Sequence, residues 1–436
     1  MRSNMLHGCL GALALAACSS PSAAPGEPPS WHGTPSQDLC PPRFADCDGI
    51  SENGCEAALE TSAESCGACG VRCEAALGGD GAAALCVAGA CAVVCDAGRA
   101  DCDGDAGNGC EVHLLEDASH CGACGVTCSA ACHHGTCDAA VLAGELPLPT
   151  FLRMDESGLY WTNQGSSGAP DGSVMRLDPG GGTAVVLAAE QAQPGPLVLD
   201  EATVYFAHRA GIAAVPKGGG EVTELASGVH GVAAMVADRG TLYWVEVGTP
   251  PAFEDGGLFA LSLGDEPTRV LLATIAGRPS GVALDAGHVY VSAAGGGAAD
   301  GAVYRVARDG MPPRAAERVV DKLERPRGLR AHAGAFWMVV NKGVASFTPG
   351  RPLRRVVSEL PQDPAELAFD EARVFWTTAR EADGQVQSAR LDGSDLETHG
   401  RNLDFPWGVA VDGENVYWTS VWAGGPRTGA LLRASK

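Results

Sequence analysis

Positive charge is scarce in this chain of 436 residues. It has 30 Lys and Arg against 53 Asp and Glu, which gives a formal net charge of −23 at pH 7. The imbalance is strongest in residues 19–140, where 18 side chains are acidic and 3 are basic. Such a surface repels phosphate backbones and anionic lipid headgroups. The composition therefore argues against nucleic acid as a partner and against attachment to a membrane by surface charge.

Long apolar runs are missing too. The one apolar run, in "MRSNMLHGCLGALALAACSS", is shorter than the roughly 20 residues that a spanning helix needs. Its ending, Leu15-Ala16-Ala17-Cys18, resembles the lipobox of bacterial lipoproteins, in which the cysteine is lipidated and becomes the mature N-terminus. We predict a lipoprotein signal peptide over residues 1–18 with Cys18 lipidated; the alternative is an ordinary signal peptide with an incidental cysteine. Ser19 and Ser20 resemble the default for outer-membrane sorting, which implies a cell-envelope protein held to the lipid bilayer by acyl chains.

Cysteine is absent after residue 137, and this absence marks a domain boundary. We predict a flexible linker over residues 19–38, Cys-rich module 1 over residues 39–93, Cys-rich module 2 over residues 94–138 and a cysteine-free domain over residues 139–436. The first six cysteines of module 1 recur 55 residues later, and each module ends with a C-x4-C pair. The sixteen are Cys40, Cys47, Cys55, Cys66, Cys69, Cys73, Cys86 and Cys91, then Cys95, Cys102, Cys110, Cys121, Cys124, Cys128, Cys132 and Cys137.

The chemistry of these cysteines follows from the compartment. Outside the cytoplasm thiols oxidise, and modules of this size are too small to be stabilised by an apolar core alone. We therefore predict four disulfides in each module, with the pairing left open because eight cysteines can pair in many ways. A zinc site would need reduced thiolates, and a thioredoxin-type dithiol would need a strand–helix context that these Gly- and Ala-rich turns lack.

Acidic residues alternate within one loop of each module. The second loop, "ADCDGDAGNGCE", contains Asp101, Asp103, Asp105 and Asn108, and the first loop, "ADCDGISENGCE", is its counterpart. Alternating oxygen ligands are typical of calcium loops, and the pattern resembles those of the thrombospondin type 3 and EF-hand kinds. It predicts a Ca²⁺ site, although the glutamate at the twelfth EF-hand position is missing. The alternative is an Asx turn between two disulfides. As a whole, the two modules resemble Cys-rich repeats of exported bacterial lipoproteins.

A repeat of short strands fills the cysteine-free domain. Seven segments such as "DESGLYWT", "DEATVYFA" and "DGENVYWT" are spaced by 38 to 47 residues, and six of them have a Pro six positions earlier. Each continues through a strand that begins with Gly, such as "GSVMRL" or "GALLRA". Four strands recurring at this interval are the signature of a β-propeller. We expect the paired aromatics to pack between blades, and each Asp to cap a tight turn.

The seventh copy is one strand short, which predicts how the ring closes. Residues 139–149, "AAVLAGELPLP", resemble the fourth strand of the first copy, so we expect them to complete the last blade and leave no free edge. The predicted fold is all-β: a seven-bladed β-propeller preceded by small disulfide-rich tandem modules. The segment resembles the Tyr-Trp-Thr-Asp propellers of low-density lipoprotein receptor type and related NHL-like repeats. Those families often have six blades and an Asp where this chain has Asn163, Glu246, Thr378 and Ser420.

The long loops suggest a function in recognition. In a propeller the connections between second and third strands share one face with the connections between blades. We expect this face to carry the ligand-binding candidates Asn163, Arg209, His230, Glu246, Arg327, Trp407 and Trp422, and to bind protein or carbohydrate. The alternative is a propeller enzyme that resembles lyases or quinone-dependent dehydrogenases, with His208, His230, His288 and His332 as acid–base candidates. No nucleophile elbow, P-loop or H-E-x-x-H motif is present.

Overall fold

A computed structural model gives the fold of the chain. It describes residues 40–50, 52–73, 81–105, 108–128, 130–229, 231–250, 253–264, 267–297, 299–422 and 428–436. The predicted signal peptide, Cys18 and linker lie outside these residues. Contacts divide the chain into two compact units, Met1–Cys95 with Asp105–Gly109, and Asp96–Gly104 with Cys110–Lys436. No helix in the described ranges combines the length and the apolarity needed to cross a membrane.

The Cys-rich modules contain only short strands. These are β1 (Phe44–Ala45), β2 (Ala57–Ala58), β3 (Ala82–Val87), β4 (Ala90–Cys95), β5 (Arg99–Ala100), β6 (Val112–His113), β7 (Cys132–His133) and β8 (Thr136–Cys137). They pair as four antiparallel hairpins, β1–β2, β3–β4, β5–β6 and β7–β8. Hairpins of this size have marginal stability on their own, so disulfides are needed to stabilise them.

Disulfides join the cysteines within each module, as predicted. Module 1 has the bonds Cys40–Cys55, Cys47–Cys69, Cys66–Cys86 and Cys73–Cys91. Module 2 repeats three of these pairings as Cys102–Cys124, Cys121–Cys132 and Cys128–Cys137, and Cys95 and Cys110 are disulfide-bonded as well. The two members of each C-x-x-C motif bond to different partners rather than to each other. The repeated motif is therefore a cross-link between hairpins and loops.

The propeller strands follow from Ala140 to the C-terminus. Blade 1 consists of β10 (Pro149–Asp155), β11 (Gly158–Asn163), β12 (Gly172–Leu177) and β13 (Val185–Gln191). Blade 2 consists of β14 (Leu197–Leu199), β15 (Thr203–His208), β16 (Gly211–Pro216) and β17 (Thr223–Ser227). Blade 3 consists of β18 (Val232–Asp238), β19 (Thr241–Glu246), β20 (Gly257–Ser262) and β21 (Arg269–Thr274). Blade 4 consists of β22 (Pro279–Leu284), β23 (His288–Ala293), β24 (Gly301–Ala307) and β25 (Glu317–Leu323).

Three further blades complete the ring. Blade 5 consists of β26 (Arg327–His332), β27 (Ala335–Val340), β28 (Gly343–Phe347) and β29 (Arg354–Val357). Blade 6 consists of β30 (Pro364–Phe369), β31 (Arg373–Thr378), β32 (Gly384–Arg390) and β33 (Glu397–Leu403). Blade 7 consists of β34 (Pro406–Val411), β35 (Asn415–Ser420), β36 (Gly429–Ser435) and the N-terminal β9 (Ala140–Leu146). Every blade is an antiparallel sheet whose first strand lies nearest the ring axis.

The predicted closure is confirmed by the pairing of β9 with β36. The two strands are antiparallel, with Leu146 opposite Gly429 and Ala143 opposite Leu431. Apolar side chains then fill the space between adjacent blades. Leu431 and Tyr417 of blade 7, for example, form one buried cluster with Trp161 of blade 1. The aromatics of the repeat are core residues, as expected: Trp161, Trp244, Trp376 and Trp418 are fully buried.

The repeated Pro and Gly meet at the same contact between blades. The Gly that opens the third strand lies against the Pro that opens the next blade. A Cβ added at Gly172 would collide with Pro194, and one at Gly429 would collide with Pro149. Gly301 and Gly384 are in the same relation to Pro326 and Pro406. Because the Pro ring lies this close, the third strand of these four blades can begin only with a residue that lacks a side chain.

The repeated Asp caps the turn between the first and second strands, also as expected. Asp200 Oδ1 accepts hydrogen bonds from the backbone N–H groups of Ala202 and Thr203, and its Oδ2 accepts one from the Tyr205 hydroxyl at 2.6 Å. Asp285 and Asp412 use the same arrangement with Tyr290 and Tyr417. The repeat spacing thus places an acceptor and a phenol five residues apart on one hairpin.

In blades 1, 3 and 6 the repeated Asp binds a cation of the following blade in place of a tyrosine hydroxyl. Asp155 pairs with Lys217, Asp238 with Arg308 at 2.5 Å, and Asp370 with Lys436 at 2.7 Å. In each case the cation immediately follows the third strand of its blade. The ion pairs link blades 1 and 2, 3 and 4, and 6 and 7. Blade 5, the odd member of seven, has His332 at the Asp position.

The closing strand should contribute strongly to stability. We expect Leu146→Ala to lower the free energy of unfolding by about 2–5 kcal/mol, because the side chain is buried between β36 and blade 1. Val141→Ala on the same strand is the matched control, since Val141 is 62% exposed and its loss should cost less than about 0.5 kcal/mol. Urea unfolding measures both. Equal losses for the two variants would show that β9 does not close the ring.

The Tyr–Asp hairpins predict a stability loss at high pH. Burial and the hydrogen bond to Asp200 raise the pKa of Tyr205 from 10.0 to about 12, and Tyr290 and Tyr417 shift equally for the same reasons. Because the folded-state pKa is the higher one, this contribution to stability is complete below pH 10 and is lost as the pH rises through about 12.

An ultraviolet absorbance titration checks this expectation. Three of the six tyrosines should ionise near pH 12 in the folded protein, and Tyr205→Phe should reduce that number by one. A titration in which Tyr205→Phe leaves the late-ionising fraction unchanged would contradict the assignment.

Candidate functional site

The predicted recognition surface is the loop face, formed by the connections between blades and between the second and third strands of each blade. Residues 192–196 and 164–171 are examples of the two kinds of connection. The opposite surface, the hairpin face, is formed by the turns after the first strands and the connections after the third strands, such as residues 239–240 and 308–316. Each described candidate lies at, or next to, a strand end on the loop face. His230 lies outside the described residues.

Asn163 and Glu246 lie on the loop side of their blades but serve the core. Asn163 is 2% exposed, and its Oδ1 accepts the indole N–H of Trp161 at 3.1 Å. Glu246 Oε1 accepts the corresponding N–H of Trp244 at 2.9 Å and a bond from Arg269 at 2.6 Å. Each residue follows its Trp by two positions. Their role is to satisfy a buried donor, which a motif position alone did not reveal.

The same position does not satisfy the indole N–H in two other blades. In blades 6 and 7 the residues that follow Trp by two positions are Thr378 and Ser420. There the buried indole nitrogens of Trp376 and Trp418 have no hydrogen-bond partner among the described residues. A buried donor without a partner costs free energy. The second position after Trp161 and Trp244 therefore contributes to the stability of this fold.

The remaining predicted candidates do lie at the surface of the loop face. Trp407, near the start of the innermost strand of blade 7, is 36% exposed. Trp422 is half-buried and packs edge-on against Phe405, with ring centroids 4.5 Å apart. Arg327 donates to the Pro364 carbonyl at 2.6 Å, and burial lowers the pKa of its guanidinium. Arg209 is exposed and lies in the β15–β16 hairpin.

Further aromatic and basic side chains lie on this face. The Arg278 guanidinium lies 5.2 Å from the ring centroid of Phe253, in two adjacent connections of blades 3 and 4. Arg325, on the connection before blade 5, is within 4.0 Å of Asp363. Exposed Trp, Phe and Arg are the side chains that carry binding energy in protein interfaces, so the composition of the loop face suits recognition.

The histidines proposed as acid–base candidates are dispersed. His208 Nε2 lies 2.9 Å from Glu224 Oε2 in blade 2. His288 is beside the turn carboxylate of Asp285 at 3.4 Å, on the hairpin face. His332 stacks on Phe369, with centroids 4.6 Å apart. These three described histidines belong to three blades, so they do not form one catalytic centre.

The acidic loops of the two modules have matching geometry. Asp101, Asp103 and Glu111 bring carboxylate oxygens within 4.8 Å of one another, and Asp46, Asp48 and Glu56 do the same in module 1. The predicted members Asp105 and Asn108 are not part of that group, and Glu111 takes their place. Glu111 also accepts the Cys102 N–H at 2.9 Å, and Asp101 accepts the Gly104 N–H at 2.7 Å. These bonds are those of a turn, so a calcium ion remains a prediction from the sequence.

Calcium titration tests that prediction. If Ca²⁺ binds module 2, adding it to the EDTA-treated protein should raise the thermal midpoint, and Asp101→Asn should remove the increase. Glu116→Gln is the matched control, because this exposed acid lies outside the carboxylate group. A midpoint that responds to neither EDTA nor Ca²⁺ would leave only the turn-capping role.

A cavity of about 690 Å³ lies on the ring axis and opens at the hairpin face. Its walls come from the first strands of blades 1 to 5, with Met154, Val198, Val236 and Leu284 among the lining residues. The turn residues Asp238, Arg239 and Asp285 line the cavity where these strands end. The volume is within the range of small-molecule sites, and the walls are mostly apolar, as such sites usually are.

Three charged side chains meet at the wall of this axial cavity. Arg330 of blade 5 donates to Glu366 Oε2 at 2.7 Å, and Arg153 of blade 1 approaches the same oxygen at 3.5 Å. Burial and the charge of Arg330 lower the pKa of Arg153 to about 10. Burial alone would raise the pKa of Glu366, but the two arginines outweigh it and keep this pKa below its ordinary value. We call Arg153, Arg330 and Glu366 the axial triad.

Comparison with known proteins adds little to this picture. The chain matches no protein-family model and no curated protein sequence. Similar solved structures include a nidogen/laminin complex, with 17% identity over 50% of this chain and 85% of that chain and a TM-score of 0.39. One of two prolyl endopeptidases has 14% identity over 66% of this chain and only 50% of that chain, with a TM-score of 0.45. Hydrazine synthase of Kuenenia stuttgartiensis has 13% identity over 66% of this chain and 96% of that chain, with a TM-score of 0.49.

Likeness of this degree carries no argument about function. A propeller hosts many unrelated activities, so function has to be argued from the side chains of this chain. Two surfaces qualify: the aromatic and basic loop face, and the axial cavity behind the hairpin face.

Proposed function

We propose that the protein is a cell-envelope lipoprotein whose propeller binds a protein or carbohydrate partner through its loop face. The N-terminal acyl group on Cys18 attaches it to the outer membrane, and the disulfide-rich modules belong to that oxidising compartment. The proposal treats the chain as a binding and scaffold protein.

Exposed Trp407 is the observation that carries this proposal. A large aromatic side chain that is 36% exposed near the ring axis gains free energy when a partner covers it, since each Å² of apolar surface contributes about 25 cal/mol on burial. Trp422 and Phe405 form an aromatic pair in the adjoining connections of blades 6 and 7. Tryptophan suits both candidate partners, because it stacks on sugar rings and anchors protein interfaces.

The competing proposal, a propeller enzyme with a site on the loop face, has less support in the described residues. A general acid–base mechanism needs its groups within hydrogen-bonding reach of one substrate. Of the candidates, His288 and His332 belong to the turns of the hairpin face. His208 has a carboxylate partner, Glu224, but this pair lies away from the aromatic residues of blade 7.

Capture of a partner tests the binding function directly. The full chain, immobilised, should enrich a specific cell-surface protein or bind defined glycans on an array, and Trp407→Ala should reduce that binding at least about tenfold, as expected for an anchor residue. Met311→Ala is the matched control, because Met311 is an apolar side chain 90% exposed on the hairpin face.

The pattern of outcomes separates the partners. Binding to glycans that Trp407→Ala abolishes identifies carbohydrate, and enrichment of one protein that it abolishes identifies a protein partner. Binding lost equally in Trp407→Ala and Met311→Ala, or absent from the unsubstituted chain, would overturn the use of the loop face.

A further inference from the structure

The charge of the axial cavity differs from that of the rest of the protein. Four arginines line it, Arg153, Arg239, Arg308 and Arg330. The carboxylates to set against them are Asp238 and Asp285 of the lining and Glu366, which pairs with Arg330. One positive charge is therefore in excess, in a chain whose net charge is −23. An excess of this sign within a walled cavity favours an anion.

The excess is located at the axial triad. At the cavity wall Asp238 pairs with Arg308 at 2.5 Å, and the negative charge of Asp285 offsets the positive charge of the exposed Arg239 in this count. In the triad, two guanidinium groups share a single carboxylate, and both approach the same oxygen, Glu366 Oε2. A guanidinium offers five N–H donors in a planar fork that matches a carboxylate. A second carboxylate is the group that would complete this arrangement.

The rest of the cavity selects what that carboxylate is attached to. Met154, Val198, Val236 and Leu284 are partly buried apolar side chains contributed by four blades. A cavity of about 690 Å³ lined in this way suits the apolar body of a small molecule. A sugar or a nucleotide would bring many hydroxyl or phosphate groups to walls that offer them few partners.

We propose that the axial cavity binds a small monocarboxylate with an apolar body, its carboxylate between Arg153 and Arg330 and its body against the walls of blades 1 to 4. The ligand enters from the hairpin face, past Arg239. This site is separate from the loop face and would bind independently of it.

Three probes separate charge from apolar contact. Hexanoate carries both features, hexanamide has the same body without the charge, and acetate has the charge without the body. Calorimetry on the full chain should give hexanoate a dissociation constant at least about tenfold below those of the other two, because only hexanoate gains both a charge-assisted pair and apolar burial. Equal affinity for hexanoate and acetate, or no hexanoate binding by the folded protein, would overturn the proposal.

Two substitutions in the triad should act in opposite directions. Arg330→Gln removes the excess positive charge and should weaken hexanoate binding about tenfold or more. Glu366→Gln removes the carboxylate that competes with the ligand and should tighten hexanoate binding about fivefold. Arg325→Gln, which removes an arginine with a side chain 67% exposed on the loop face, is the matched control and should change nothing.

Opposite changes in hexanoate affinity distinguish a binding site from a triad that only links blades 1, 5 and 6. Both triad substitutions disturb a buried ion pair and both should lower stability, so loss of stability cannot weaken binding in one variant and strengthen it in the other. Should Arg330→Gln fail to fold, Glu366→Gln decides alone: tighter hexanoate binding supports the site, and unchanged or weaker binding overturns it.

Discussion

Closure of the ring by β9 is the constraint on which the rest of the propeller depends. Each blade buries its faces only against its two neighbours, so an open ring would expose the surfaces of blades 1 and 7, including the cluster that contains Trp161 and Leu431. Pairing of β9 with β36 also joins the two ends of the domain and removes a free strand edge. The axial triad exists for the same reason, because Arg153 and Glu366 are 213 residues apart and meet only across a closed ring.

Much of this fold could be predicted because its signals are local or repeat between neighbours. The Asp and Tyr of one hairpin are five residues apart, and the Gly and Pro of successive blades meet in one repeated contact, so each leaves a periodic trace in the sequence. Disulfide pairing left no such trace. Eight cysteines per module are compatible with many pairings, and the chain path decides that Cys66 bonds to Cys86 and not to Cys69. The sequence could indicate that the cysteines are oxidised and how many disulfides each module has, but not which cysteines pair.

The candidate site was harder to predict, for two physical reasons. A residue at a strand end can point to solvent or to the core, and spacing alone does not separate the two. Asn163 and Glu246 are examples, since both accept the N–H of a buried indole. The axial triad, conversely, has no motif. Its members are single charged residues in first strands of three different blades, and only the tertiary structure shows that the three side chains meet.

The two faces of the propeller differ in chemistry because different groups end there. The hairpin face is rich in matched charges, since an Asp caps the turn after the first strand in five blades and the aspartates of blades 1, 3 and 6 bind cations of the next blade. Blade 5 has His332 at the Asp position, and its first strand contributes Arg330 to the axial triad. The acidity of the whole chain does not oppose an anion there. Exposed charges further than about 8–10 Å away are largely screened by salt, whereas Arg153 and Arg330 act at contact distance inside the protein. Local charge therefore decides what the cavity can bind.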